Sequence, residues 1–106
     1  MLFIAIARDG TDDLAPSRRA AVRAKHLEGI APLVAAGTVQ LGGAFLNDAG
    51  EMTGSMLLIE ASSLESVRSM LERDVYTTGG VWQSLEIMPF RIVSPQRVKP
   101  CHNLGF

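Results

Sequence analysis

Four short apolar runs, separated by two longer segments with helical periodicity, limit this 106-residue chain to a small α+β domain. The run from Leu2 to Ala7 contains two isoleucines and a phenylalanine and is ended by Asp9-Gly10, which predicts a buried first strand. From about Leu14 to Ala36, apolar residues recur three to four residues apart or at twice that spacing, and Gly37 follows them. This pattern predicts a long first helix.

The rest of the chain continues the alternation of strands and helices. Thr38 to Leu46 and Ser55 to Glu60 flank a run of turn-forming residues, which predicts a β-hairpin. The tetrad Ser62-Ser63-Leu64-Glu65 matches a capping box, in which the serine and glutamate side chains bond free N–H groups at a helix start. A second helix is therefore expected to run to about Arg73, and Leu85 to Val93 is predicted to be the last strand.

The order βαββαβ predicts a ferredoxin-like α+β fold, with one antiparallel four-stranded sheet and two helices on one face. A sheet with one wet face alternates apolar and polar residues, but Met56-Leu57-Leu58-Ile59 is apolar throughout. The second face therefore needs a cover, and we expect the sheet of a second copy in a homodimer or higher homo-oligomer. Residues 1–93 are predicted to form the domain, and residues 94–106 a tail that packs on the body or on the partner subunit.

Charge and composition argue against several classes of partner. Ten basic residues oppose 11 acidic ones for a net charge of -1, so the field that attracts nucleic acid is absent. No apolar run reaches the roughly 18 residues that span a bilayer, so no membrane association is expected. The single cysteine, Cys101, cannot form an internal disulfide. This suits a reducing compartment, and the cytoplasm is the expected location.

Two polar residues fall on the predicted inner faces of the helices. His26 lies four residues from both Val22 and Ile30, and Asp74 continues the inner stripe that includes Leu71. An aspartate that accepts an imidazole N–H orients the ring and raises its basicity, so the pair is a candidate for general acid–base catalysis. The alternative is a satisfied core histidine beside a carboxylate at a helix end. An aspartate at a helix C-terminus opposes the helix dipole, however, and this favours a specific partner or role.

Five further residues are candidates for substrate binding. Ser55 opens a strand and can donate a hydrogen bond, whereas most strand serines have no such role. Arg19 and Arg23 can bind an anionic oxygen, or they can form a solvated helix face. Tyr76 and Trp82 can line a pocket for a flat ring, or they can belong to the core.

The remaining motifs do not indicate a metal or a cofactor. Cys101-His102 lies in the tail, which is a poor setting for the geometry that a metal site or a nucleophile demands. Gly42-Gly43 lies inside a predicted strand and Gly79-Gly80 precedes one, so neither forms a phosphate-binding loop between a strand and a helix. No metal and no nucleotide cofactor is therefore expected.

Several short motifs occur in a specific order. They are Arg23-Ala-Lys-His26-Leu27, Gly37-Thr-Val-Gln-Leu-Gly-Gly43, Asp48-Ala-Gly50, Gly54-Ser55, Asp74 and Glu86-Ile-Met-Pro89-Phe90. In this order the chain resembles the YciI-like family from Met1 to about Val93. The resemblance implies a dimeric α/β barrel and an active site marked by Arg-x-x-His and a later Asp. Here these are Arg23, His26 and Asp74.

The same resemblance implies an activity. It points to a cofactor-independent lyase or isomerase that moves protons on a small cyclic or aromatic substrate. The specific expectation is the family's dehydrochlorination of a chlorinated hydroxyhydroquinone to a hydroxyquinone in aromatic catabolism. A muconolactone-isomerase-like activity and a non-catalytic ligand-binding or regulatory module are the alternatives. In each case the expected partner is a small molecule.

Overall fold

The structure is a computed structural model, and it describes residues 1–93 of the chain. Its elements are β1 (Leu2–Asp9), α1 (Ala15–Ala35), β2 (Val39–Leu46), β3 (Met52–Glu60), α2 (Leu64–Glu72), α3 (Val75–Thr78) and β4 (Trp82–Pro89). The strands form one sheet in the order β2-β3-β1-β4, and every neighbouring pair is antiparallel. The predicted ferredoxin-like α+β fold is confirmed. The four-residue helix α3 was not predicted.

The register of the sheet determines which side chains face the helices. Ala5 pairs with Leu57 and with Ile87, and Phe3 pairs with Ile59, so these residues share one face. Phe3, Ala5, Leu57 and Ile59 are buried there in one cluster with α2 residues such as Val67. The core therefore lies between the sheet and the helices, as the predicted arrangement requires.

The opposite face of the sheet is also apolar. Ile4 pairs with Leu58 and Met88, and Ile6 pairs with Met56, so these side chains lie together away from the helices. The consecutive apolar residues of the strands thus divide between two faces, each of which is largely apolar. The cover of this second face by another copy stays a prediction.

The last strand differs from the predicted range of Leu85 to Val93. It begins at Trp82, which pairs with Asp9 across a register shift in β1, and it ends at Pro89 on an edge of the sheet. Proline has no N–H to donate, so an edge strand tolerates it at its end. Trp82 is consequently a strand residue and not part of the preceding loop.

Local residues explain where α1 ends and α2 begins, with one correction to the predicted capping box. Gly37 has a φ of 79° and follows α1, so the predicted glycine stop is confirmed. The capping box over Ser62 to Glu65 is wrong by one residue. Ser63 is the N-cap, and its side chain accepts a hydrogen bond from the N–H of Ser66 at 3.1 Å. Glu65 therefore stands in the first turn and not at the position that closes a box.

Two further findings concern membrane-spanning helices and the predicted tail. No helix within residues 1–93 is long and apolar enough to cross a membrane. The predicted tail, 94–106, and with it Cys101-His102, lies outside the described residues.

Candidate functional site

His26 and Asp74 meet at the junction of α1 with the start of α3. The Nδ1 atom of His26 lies 2.8 Å and 3.0 Å from the two carboxylate oxygens of Asp74. Both side chains are largely buried, with 11% of each exposed. The two residues that the sequence selected therefore meet, although Asp74 lies beyond the end of α2 and not on its helical stripe.

Asp74 occupies a different helix end from the one expected. It is the N-cap of α3, and its Oδ1 accepts a hydrogen bond from the N–H of Tyr76 at 2.8 Å. A carboxylate is a favoured N-cap because it satisfies a free backbone donor. Asp74 was expected to oppose a helix dipole, but as the N-cap of α3 it lies at the favourable end of a helix, and it has a local structural role in addition to its contact with His26.

The contact with Asp74 determines the tautomer of the neutral imidazole. An ionised carboxylate only accepts hydrogen bonds, so Nδ1 of His26 must donate. In the neutral ring the proton then resides on Nδ1, and Nε2 keeps a lone pair. Within residues 1–93, no side chain is hydrogen-bonded to Nε2. The arrangement leaves this nitrogen able to accept a proton from a bound molecule.

Two aromatic rings contact the imidazole of His26, one on its face and one edge-on. The ring of Tyr76 stacks on His26 with centroids 3.9 Å apart and an interplanar angle of 9°, and Trp82 meets His26 edge-on at 5.7 Å. Burial raises the pKa of Tyr76 above its usual value, although the charges of Arg19 and Arg23 oppose the shift. Tyr76 is therefore a neutral phenol near pH 7, and its stacking restricts the tilt of the imidazole.

A second buried pair lies beside the first. Nη1 of Arg19 donates to both carboxylate oxygens of Asp9 at 2.9 Å, and 8% of Arg19 and 4% of Asp9 are exposed. The guanidinium carbon of Arg19 also lies 4.8 Å from the centroid of the Tyr76 ring. Arg19 was predicted to bind an anionic oxygen of the substrate, but in the structure Asp9 already balances its charge.

Ser55 connects the second pair to Trp82. Its Oγ accepts a hydrogen bond from Nη2 of Arg19 at 3.0 Å and another from Nε1 of Trp82 at 3.2 Å. A hydroxyl oxygen has two lone pairs, so these two donors occupy both of them. The hydroxyl proton of Ser55 is then left to donate elsewhere. Gly54 permits the close approach of β3 to β1 next to Ser55, since a Cβ there would lie 2.5 Å from the carbonyl oxygen of Ala7.

A cavity of about 510 Å³ opens between α1 and the β2–β3 strands. We call it the α1–β2 cavity. One end has a group of polar side chains, and the remainder of the wall is apolar apart from Gln40. The polar group consists of Arg19, Arg23, His26, Ser55 and Tyr76, and the apolar group includes Leu27, Ile30, Val34, Val39 and Leu57. Size and composition are those of a small-molecule site.

The structure separates the predicted site residues by position. His26, Ser55, Tyr76, Arg19 and Arg23 all border the α1–β2 cavity. Trp82 does not border it, and instead lies behind Ser55 as a buried hydrogen-bond donor. Within residues 1–93, no cluster of three or more His, Cys, Asp or Glu side chains has the arrangement of a metal site.

Asp9 is the residue that sequence reasoning missed. It stands at the end of β1, ten residues before Arg19, with a turn and the first turn of α1 between them. No helical or strand periodicity connects such positions, so the pairing depends on how α1 packs against the sheet. The one available signal was a carboxylate at the end of an apolar strand.

Residues 1–91 match the family model described as the YCII-related domain. Protein YciI of Escherichia coli O6:H1 is 31% identical over 99 residues, which cover 88% of this chain and 99% of that protein. Fusaric acid biosynthesis protein 2 of Gibberella fujikuroi is 32% identical, over 84% of this chain and 91% of that protein. Aspartate kinase FUB3 of Fusarium oxysporum f. sp. lycopersici is 34% identical over 85% of this chain, which spans only 18% of the kinase.

One solved structure is similar in both sequence and fold. It is the 5-chloro-2-hydroxyhydroquinone dehydrochlorinase TftG from Burkholderia phenoliruptrix AC1100, in complex with 2,5-dihydroxybenzoquinone. The two chains are 31% identical and superpose with a TM-score of 0.74, over 86% of this chain and 94% of TftG.

Proposed function

This chain belongs to the YCII-related domain family, and we propose that it is an acid–base enzyme for a small cyclic or aromatic substrate, with His26 and Asp74 as its catalytic pair. The observation that carries the proposal is the 2.8 Å contact of Asp74 with His26, whose side chain borders the α1–β2 cavity. A hydrogen-bonded His–Asp pair beside an open cavity is suited to proton transfer. A fully packed core around His26 would have argued against this role.

Each polar residue of the cavity has a distinct part in the proposed reaction. Nε2 of His26 takes a proton from a substrate hydroxyl, and the carboxylate of Asp74 stabilises the imidazolium that results. The free proton of Ser55 is donated to a substrate oxygen. Arg23, which lines the cavity without an ion-pair partner among residues 1–93, offsets negative charge on the ring oxygens.

The specific reaction that we propose is dehydrochlorination of a chlorinated hydroxyhydroquinone. His26 removes one hydroxyl proton, and the ring tautomerises as the carbon that bears chlorine gains a proton. A second hydroxyl then loses its proton while chloride leaves with the bonding electron pair. The products are a hydroxyquinone and HCl, so atoms and electrons balance without an external oxidant.

Two relatives support this choice of chemistry. TftG carries the name of such a dehydrochlorinase, and its structure holds a dihydroxybenzoquinone. The name of fusaric acid biosynthesis protein 2 also refers to the synthesis of a small molecule. Both support a small-molecule enzyme more strongly than a regulatory module.

Chloride release from 5-chloro-2-hydroxyhydroquinone tests the role of His26. We expect the His26→Ala variant to lose about 10²- to 10⁴-fold in kcat, which is the usual contribution of a general base. Lys25→Ala changes an exposed neighbour on the same helix, and it should keep the wild-type rate. Undiminished turnover in His26→Ala would contradict the mechanism. Tight binding of the quinone without turnover by the wild type would favour the ligand-binding alternative.

We also propose that the apolar face of the sheet, formed by Ile4, Ile6, Met56, Leu58 and Met88, packs against the same face of a second copy. Burial of these side chains from both copies would remove a large apolar surface from water. Light scattering after size exclusion should give twice the chain mass, and Ile4→Glu should give a monomer. A monomeric wild type would refute this arrangement.

A further inference from the structure

The α1–β2 cavity extends well past the catalytic pair, and we propose that the substrate carries an apolar arm on its ring that binds along this extension. The inference rests on the proposed function for the position of the ring, and it names the class of substrate: an oxygenated ring with an alkyl or aryl substituent. A ring without such an arm leaves the apolar part of the cavity unused.

The polarity of the cavity changes along its length. The end next to the catalytic pair presents the imidazole of His26, the hydroxyl of Ser55 and the cation of Arg23. Beyond Arg23, the same stripe of α1 continues with Leu27, Ile30 and Val34 at spacings of three and four residues. A bound molecule therefore meets polar groups at one end and only aliphatic side chains along the helix.

These aliphatic side chains are unusually accessible for residues next to a site. Leu27 is 44% exposed and Val34 is 53% exposed, whereas Val39 on the facing strand is buried. All three border the cavity. Apolar surface that is continuous with a polar site gains most from an apolar part of the ligand, because that contact removes both surfaces from water.

The strand that faces α1 lacks the side chains that would fill this space. Gly42 pairs with Leu57, so its missing side chain belongs to the face of the sheet that carries the helices. A Cβ built there has only the carbonyl oxygen of Met56 within 4 Å, at 3.8 Å. Its φ does not lie in the left-handed region, so neither backbone conformation nor close packing requires glycine. The glycine leaves the cavity open.

The volume supports the same conclusion. A cavity of roughly 150 Å³ is enough to hold benzene. The α1–β2 cavity measures about 510 Å³, which lies in the range that binds ligands of several fused or linked groups. One oxygenated six-membered ring beside His26 would occupy a minor part of it.

Calorimetric binding of a homologous series tests the inference without any need for turnover. The probes are 2,5-dihydroxybenzoquinone and its 3-methyl, 3-propyl and 3-butyl derivatives. For the wild-type protein we expect Kd to fall on the order of threefold per added methylene, in line with the burial of CH₂ groups. A Kd that does not change along the series, or that rises, would overturn the proposal.

A pair of glycine substitutions locates the arm. Gly42→Val puts an isopropyl group into the extension, so it should abolish the gain along the series while Kd for the unsubstituted quinone stays within about twofold. Gly43→Val is the matched control. The backbone of Gly43 also borders the cavity, but Gly43 pairs with Met56, so its Cβ would project from the other face of the sheet, where it would meet nothing within 4 Å. This variant should keep the full gain. An equal gain in Gly42→Val would place the arm elsewhere and refute the inference.

The outcomes also distinguish this inference from the proposed function. If His26→Ala keeps its turnover while the affinity series behaves as expected, the catalytic assignment fails and the arm site stands. If the series shows no gain while chloride release depends on His26, the arm site fails and the catalytic assignment stands.

Discussion

The Asp9–Arg19 pair and the His26–Asp74 pair both fasten α1 to a neighbouring element, and they differ in what they leave free. In the first, Arg19 directs both terminal nitrogens at protein acceptors, namely Asp9 and Ser55. In the second, only Nδ1 of His26 is used, and Nε2 has no protein partner within residues 1–93. Two pairs of similar burial therefore leave different atoms free, and only the second has the free nitrogen that the proposed proton exchange with a ligand requires.

The largest expected effect comes from breaking the first pair. Asp9→Asn leaves the buried cation of Arg19 without a counter-charge, which typically costs about 3 to 5 kcal/mol in the free energy of unfolding. Small domains have only about 5 to 15 kcal/mol in total, so the loss should be plain in urea unfolding. The double variant Asp9→Asn, Arg19→Met removes both charges and should recover much of it.

A surface pair provides the control for this measurement. Arg18 donates hydrogen bonds to Asp12 and lowers the pKa of Asp12 to about 2, but the carboxylate is exposed to solvent. Asp12→Asn should therefore shift the urea midpoint far less than Asp9→Asn. Equal shifts in the two variants would show that the burial of the Asp9–Arg19 pair has no energetic consequence.

The second effect falls on activity. In Asp74→Asn the amide can still cap α3, but its NH₂ group can donate to Nδ1 of His26 and thereby favour the tautomer with the proton on Nε2. We expect kcat for chloride release to fall about 10²-fold or more while the urea midpoint changes little. Asp74→Ala should lose activity and, in addition, about 1 kcal/mol of stability from the missing cap. A fully active Asp74→Asn would mean that the carboxylate is only a cap.

A smaller effect tests whether Trp82 orients the hydroxyl of Ser55, which is also hydrogen-bonded to Arg19. Trp82→Phe keeps a ring but removes the N–H that occupies one lone pair of Ser55, so the serine hydroxyl is no longer held as a donor to the cavity. We expect a loss of about 0.5 to 1.5 kcal/mol in stability and weaker binding of 2,5-dihydroxybenzoquinone. The binding losses of Trp82→Phe and Ser55→Ala should not add in the double variant. Additive losses would show that Trp82 does not act through Ser55.

The smallest effect concerns alkaline pH. Burial raises the pKa of Tyr76, so the folded state holds the phenolic proton more tightly than the unfolded chain, whose tyrosine titrates near pH ~10. The stabilising contribution is complete below pH ~10 and is lost as the pH rises through the folded pKa. Between pH 8 and pH 10.5 the wild type should lose more stability than Tyr76→Phe. Equal losses of urea midpoint in the wild type and in Tyr76→Phe would indicate that Tyr76 does not contribute to the pH dependence of stability.

Local patterns in the sequence were sufficient for most of the fold. Helical spacing and glycine stops located α1, and the turn-forming run located the hairpin, because these signals depend on neighbouring residues alone. The comparisons confirm the family that the ordered motifs indicated. Helix α3 escaped notice because four residues carry no periodicity, and with it the true role of Asp74 as an N-cap was missed.

In the candidate site, too, some features followed from local sequence and others only from the tertiary structure. The sequence by itself determined that His26 lies on the inward stripe of α1, since stripe position follows from spacing within one helix, whereas Asp74 lies beyond α2 as the N-cap of α3. Only the tertiary structure decided that Asp9 neutralises Arg19, that Ser55 has both lone pairs occupied, and that Gly42 faces an open cavity. These facts depend on how α1 is placed against four strands, and contacts between residues far apart in the chain leave no periodic trace in the sequence.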